Sequence, residues 1–108
     1  MRPIRLSETE RKKPISYDKS TKKFLYLTDI QAGRTISPKQ LDDESQRVLT
    51  IRRLEMEEDF PIESLGAMNK KQQIEEVRKG TEIGKKIIRA EIGYLEETIK
   101  EIVKGDII

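Results

Sequence analysis

Gly80–Glu97 reads GTEIGKKIIRAEIGYLEE. Its opening, G-x-x-x-G-K-K, looks like part of a phosphate-binding loop, and the choice between loop and helix decides the fold. A phosphate loop needs G-x-x-x-x-G-K-[ST] between a strand and a helix, because its backbone N–H groups are free only while the loop is not helical. Here Gly80 and Gly84 are one residue too close, and Lys86 stands where Ser or Thr would hold magnesium. The preceding QQIEEVRK has a helical pattern. The stretch therefore reads as helix, and a nucleotide loop is set aside.

Worked outward, the helical pattern runs from about residue 70 to about residue 104, where Gly105 takes the place of a C-cap glycine. A helix of that length spans about 50 Å, more than the rest of so small a chain can cover. At 100° per residue, Ile74, Val77, Ile88, Ile92, Leu95, Ile99, Ile102 and Val103 fall within an arc of about 100°. Ile83, Ile87 and Tyr94 form a smaller patch on the opposite side. One side is expected to pack on the chain's own first helix and the other to meet a partner. The competing reading makes both sides intramolecular.

The glycines need a reason, since each costs about 1 kcal/mol against alanine inside a helix. Gly80 and Gly84 share a face, and that spacing lets another backbone approach closely. The expected partner interface is thus Gly80, Gly84, Ile83, Ile87 and Tyr94, with Ile92, Leu95, Ile99 and Ile102. A break at Lys79–Thr81, with Thr81 as an N-cap, is the other account of the same residues.

Upstream, residues 1–14 hold two prolines and no periodicity, and read as an extended basic arm. Residues 15–36 form a short hairpin and turn segment, with β-prone Ile15–Tyr17 and Phe24–Leu27 around the polar DKSTKK. TDIQAG reads as one helical turn closed by Gly33. A helical body covers residues 37–108. Ser37 as N-cap, Pro38 at N1 and Gln40 at N3 predict a helix from about 38 to 58. Pro61 ends it, because a proline disfavours helix at the residue before it, and residues 59–69 form the connector. The fold class is mainly α: a helical hairpin with one long C-terminal helix, preceded by the arm and a small β-hairpin.

Composition excludes several chemistries. The 108 residues contain no cysteine and no histidine, so disulfides, thiol nucleophiles and Ser-His-Asp schemes are closed. No catalytic, cofactor or metal site is specified. No apolar run approaches a membrane span of about 18 residues, and no signal peptide is visible after Met1, so the expectation is a cytoplasmic, soluble protein. Hydrophobic residues make up 34% of the chain and charged ones 39%. A core this thin is often completed against a copy of the chain or another protein.

The net charge of +2 is uneven. Residues 1–40 carry ten basic and four acidic side chains, which makes the arm strongly positive. Arg2, Arg5, Arg11, Lys12, Lys13, Lys22 and Lys23 are candidate contacts for a nucleic acid or an acidic protein. Tyr17, Phe24 and Tyr26 lie among them, either to stack on bases or to pin the hairpin to the body. Lys71, Arg78, Lys85, Arg89 and Lys100 share one side of the long helix. Glu75–Lys79, Glu82–Lys86 and Glu96–Lys100 are favourable (i, i+4) pairs, so that side reads as a salt-bridged surface.

Leu27–Leu41, LTDIQAGRTISPKQL, has the cadence of a helix-turn-helix, but Asp42, Asp43 and Glu44 would repel a DNA backbone. The same stretch loosely resembles the opening of the small subunits of B12-dependent diol dehydratases. The likeness is confined to helix-start chemistry and implies nothing for the C-terminal half. The acids Glu55, Glu57, Glu58, Asp59 and Glu63 lack calcium-loop spacing and are expected to receive the chain's own arm. The functional expectation is a non-catalytic protein of protein–protein assembly, as an accessory subunit or self-associating module. A nucleic-acid-binding regulator that uses the arm is the alternative.

Overall fold

The computed structural model describes residues 6–57 and 68–105. Ser7 opens the first helix by accepting a hydrogen bond from the Glu10 N–H at 3.2 Å. This gives α1, Glu8–Lys12. The segment expected as an extended arm is therefore helical over these residues, because a serine cap with Glu10 at N3 satisfies the first turn.

Strands β1 (Ser16–Asp18) and β2 (Lys23–Leu25) pair antiparallel, with Tyr17 opposite Phe24. Asp18 closes the turn by accepting from the Ser20 N–H at 2.9 Å and hydroxyl at 2.6 Å. The Tyr17 and Phe24 rings lie 5.1 Å apart and pack half-buried against the core. They pin the hairpin to the body. Helix α2 (Leu27–Gln31) follows, its first turn held by the Asp29 carboxylate on the Tyr26 N–H at 2.9 Å. Gly33 ends this turn at φ 89°.

The next helix starts later than the capping pattern predicts. Pro38–Gln40 forms only a 3-10 turn, and Ser37 makes no cap bond. Leu41 then goes extended, at ψ 149°. Asp42 is the cap instead, accepting from the Ser45 N–H at 2.8 Å, and α3 runs Asp43–Glu55. The reason is tertiary. Glu96, far along the chain, takes the Ser37 hydroxyl and accepts from the Lys39 N–H at 2.9 Å, so the 3-10 turn is capped from outside.

The C-terminal half holds two helices where the periodicity predicts one of about 50 Å. Asn69 and Gln72 form a reciprocal capping box that opens α4 (Lys70–Lys79). Gly80 closes it in the left-handed conformation, φ 70° and ψ 32°, where an L side chain is strained. Its N–H reaches the carbonyls of Glu76 at 3.1 Å and Val77 at 3.2 Å. Thr81 then caps α5 (Glu82–Val103), accepting from the Gly84 N–H at 3.1 Å. The break at Lys79–Thr81 is the observed arrangement. Helix α4 folds back along the first turns of α5, and α3 packs against both.

Helix α5, 22 residues long, is the spine. Ile92, Leu95, Ile99 and Ile102 meet Ile15, Leu27, Ile30 and Leu49 in the larger core cluster. Ile87 meets Leu54 and Val77 in a smaller one, and Ile88 packs at the edge of both. The main apolar side of the helix is thus covered within the chain except at Val103, whereas of the smaller patch only Ile87 is buried. The molecule is a slab of 36 × 32 × 18 Å. Among the described residues no helix is long and apolar enough to cross a membrane.

Candidate binding groove

The residues expected at a partner interface divide sharply. Ile87, Ile92, Leu95, Ile99 and Ile102 are buried in this chain's own core, because α4 and the hairpin supply the cover that a partner was expected to give. Gly84 does lie against a backbone, but that backbone is α4 of the same chain. A Cβ there would stand 2.1 Å from the Glu76 carbonyl oxygen. Gly80 serves the turn. Ile83 and Tyr94 remain exposed, at 38% and 43%.

The basic arm is likewise partly spent. Arg2 and Arg5 lie outside the described residues. Lys12, Lys22 and Lys23 are exposed. Arg11 donates from Nε to the Leu6 carbonyl at 3.2 Å. Lys13 is 1% exposed and bridges Glu10, at 2.8 Å, to Glu57. The expected contact between arm and acidic cluster therefore exists at Glu57, while Glu58, Asp59 and Glu63 lie outside the described residues.

Lys13 belongs to a larger clasp. Arg53, 3% exposed, donates to Glu91 at 2.8 Å, to Glu10 at 3.0 Å and to the Pro14 carbonyl at 2.8 Å. Its guanidinium lies 5.6 Å from the Tyr94 ring centre, and the Tyr94 hydroxyl donates to Glu10 at 3.3 Å. Burial alone would raise the Glu10 pKa, but the Lys13 hydrogen bond and the Arg53 charge more than offset it and hold the carboxyl below its ordinary value. Every charge in the clasp has a partner, and it ties α1 to α3 and α5. This is structural chemistry.

The unspent charges are elsewhere. A hollow of about 400 Å³ opens between α3 and the α4–α5 turn, lined by Asp43, Gln46, Arg47, Lys79, Lys85 and Arg89 over Ile88 and Gly80. A second, of about 450 Å³, shares Gln46 and Arg89 with it and extends to Lys39, Ile92 and Gly93. Together they make one groove. Its walls carry five cations and one acid, and its floor is apolar. Gln46 is fixed by its Nε2–H on the Pro38 carbonyl at 3.0 Å.

Electrostatics inside the groove are one-sided. Lys79 reaches Glu75 only at 3.9 Å and Lys85 reaches Glu82 only at 3.5 Å, both at exposed positions, where such pairs contribute little. The expected Glu82–Lys86 and Glu96–Lys100 pairs do not form. Lys85 and Lys100 turn to Glu82 and Glu97 instead, and Glu96 caps the 3-10 turn. Arg47 and Arg89 have no acidic partner among the described residues. The Arg47 Nε is buried and meets no acceptor. A buried N–H left without an acceptor is unusual, since most such groups are paired.

Gly93 is the second anomaly. It lies mid-helix in α5, yet among the described residues no atom beyond its own stretch of helix backbone stands within 4 Å of where its Cβ would be. Packing gives no reason for a glycine there. Its bare backbone lines the groove.

Sequence reasoning missed Arg47, Lys79 and Gly93 as members of one site. A local signal existed for Arg89, whose neighbours three and four residues away are Lys85, Lys86, Ile92 and Gly93, with no acid among them. No protein-family model, curated protein or solved structure matches the chain.

Proposed function

We propose that the protein is a non-catalytic partner in a larger assembly and that an acidic protein segment seats in the groove between α3 and α5. The observation that carries this reading is the combination of unpaired Arg47 and Arg89 with an apolar floor of Ile88 and Ile92. Cationic walls attract and orient an acidic chain. The apolar floor adds burial, the main favourable term in protein association. Gly93 supports it, because a helical glycine that costs about 1 kcal/mol leaves the floor low enough for another backbone.

A nucleic acid is the weaker reading. Among the described residues no aromatic side chain lines the groove, and single-strand binders stack bases on aromatics. Tyr17 and Phe24 are packed on each other, and Lys13 is engaged in ion pairs. The cytoplasm is the compartment that goes with this proposal.

The test is fluorescence anisotropy with a labelled acidic amphipathic peptide, a basic peptide of equal length and a single-stranded oligonucleotide. The proposal expects the acidic peptide alone to bind well, and Arg89→Glu to abolish that binding. Preferred binding of the oligonucleotide, or undiminished peptide binding by Arg89→Glu, would overturn it. Light scattering on the same samples asks whether a second copy of the chain takes the peptide's place. A stable dimer that resists the peptide would also count against the proposal.

A further inference from the structure

The end of the groove nearest the α4–α5 turn is more than a basic wall. We propose that the hollow between Arg47, Lys79, Lys85 and Arg89 is a site for a phosphate monoester. This deepens the groove reading and rests on it.

Four cations from three helices converge on a space of about 400 Å³, against the single carboxylate of Asp43. That excess suits a dianion better than the single negative charge of a carboxylate or a phosphodiester. The volume lies within the range of about 300–1,000 Å³ usual for small-ligand pockets, so it holds a phosphoryl group with part of the skeleton it is attached to. Arg47 and Arg89 approach from facing helices, and guanidinium groups present the planar donor pairs that match phosphate oxygens.

Arg47 lines the hollow, and its Nε–H, buried without an acceptor, makes no bond among the described residues that would hold the guanidinium back from a phosphoryl oxygen. Gly80 forms the rim. A side chain there would start 4.0 Å from the Arg47 Nη2, beside the group that has to meet the ligand. The turn glycine thus keeps the entrance clear as well as permitting the left-handed backbone. The phosphoryl group comes either from a phosphorylated serine or threonine of the docked segment or from a small free phosphate ester. The chemistry of the hollow is the same for both.

The experiment follows the arginine Nε–H resonances of the full chain by NMR. The titrants are inorganic phosphate, chloride at matched ionic strength, and the acidic peptide with and without one phosphoserine. The expected result is a saturable shift of the Arg47 signal with phosphate and none with chloride. Arg47→Gln and Lys85→Gln should each weaken phosphate binding about tenfold, in keeping with the loss of one charge-assisted contact. Neither residue anchors the fold, and far-UV circular dichroism verifies that the variants stay folded.

If the phosphopeptide binds at least about tenfold tighter than its unmodified form, the partner segment supplies the phosphate. If phosphate saturates but the two peptides bind alike, a small phosphate ester is the ligand and the site stands. The absence of a saturable phosphate shift, an equal shift with chloride, or full phosphate affinity in Arg47→Gln would overturn the proposal. The unmodified peptide separately tests the groove. Its failure to bind, with phosphate still saturating, would sink the docking reading alone.

Discussion

Replacing Gly84 with alanine adds one methyl group to a place that is already filled. The new carbon would stand 2.1 Å from the Glu76 carbonyl oxygen, 2.6 Å from the Glu76 carbonyl carbon and 2.9 Å from the Val77 nitrogen. All three atoms belong to backbone, so no side chain can rotate away. Non-bonded heavy atoms sit best at about 3.5–4.0 Å, so the first turn of α5 must retreat from α4 by on the order of 1 Å. That retreat opens the cluster of Leu54, Val77 and Ile87. Overpacking of this kind costs about 1–3 kcal/mol, and the rigid neighbour places it at the upper end. Alanine returns about 1 kcal/mol of helix propensity. The net is a loss of about 1–2 kcal/mol, and each kcal/mol lowers Tm by about 4–8 °C in a domain of this size. Gly93 is the control, in the same helix with the same substitution. No atom of another described element stands within 4 Å of its Cβ position, so Gly93→Ala should gain about 1 kcal/mol. Thermal and urea melts followed by far-UV circular dichroism read both. Shifts of the same sign, or a Gly84→Ala protein as stable as the parent, would refute the reasoning.

Other predictions follow from the clasp. Arg53→Ala leaves Glu91 without its cation and Glu10 with Lys13 alone, and should destabilise by about 1–3 kcal/mol, measured by urea denaturation. Glu10 has a folded pKa below its ordinary 4.5. Its contribution is therefore full above the unfolded pKa and lost as pH falls through the folded value. Glu10→Gln should be less stable than the parent near neutrality, and the gap should close in acid. Melting curves across a pH series check this, and a gap that persists in acid would contradict it. Part of the acid dependence should survive in Glu10→Gln, because Glu96, opposed by burial but held down by the Ser37 hydroxyl and the Lys39 N–H, titrates in the same direction.

How far the sequence discloses this fold depends on the reach of each signal. The mainly helical class, the hairpin and the turn at Gly33 rest on local patterns, and they appear where the residues place them. The long helix fails at Gly80 for a definite reason. Thr81 and Gly84 continue the apolar arc of Val77 and Ile88, so the stripe runs unbroken through a turn that reverses the chain. The stop and start signals, Gly80 and Thr81, were present but compete with that stripe. At Ser37 the cap pattern is sound, yet Glu96 satisfies the same groups from 59 residues away, which leaves Asp42 to start the helix. Close approach at Gly84 was legible, but the identity of the approaching backbone was not. The groove was the least legible feature. Arg47 and Arg89 become neighbours only because α4 folds back and α3 lies against α5.

The central claim is that the groove reads acidic charge, and a charge swap tests it most directly. Binding of the acidic peptide to the parent and to Arg89→Glu is measured beside binding of a series of peptides, each with a different single glutamate replaced by lysine. The account predicts that Arg89→Glu loses the acidic peptide and regains affinity for one of the lysine-substituted peptides, with a coupling of about 0.5–3 kcal/mol. Loss with every peptide and recovery with none would contradict it.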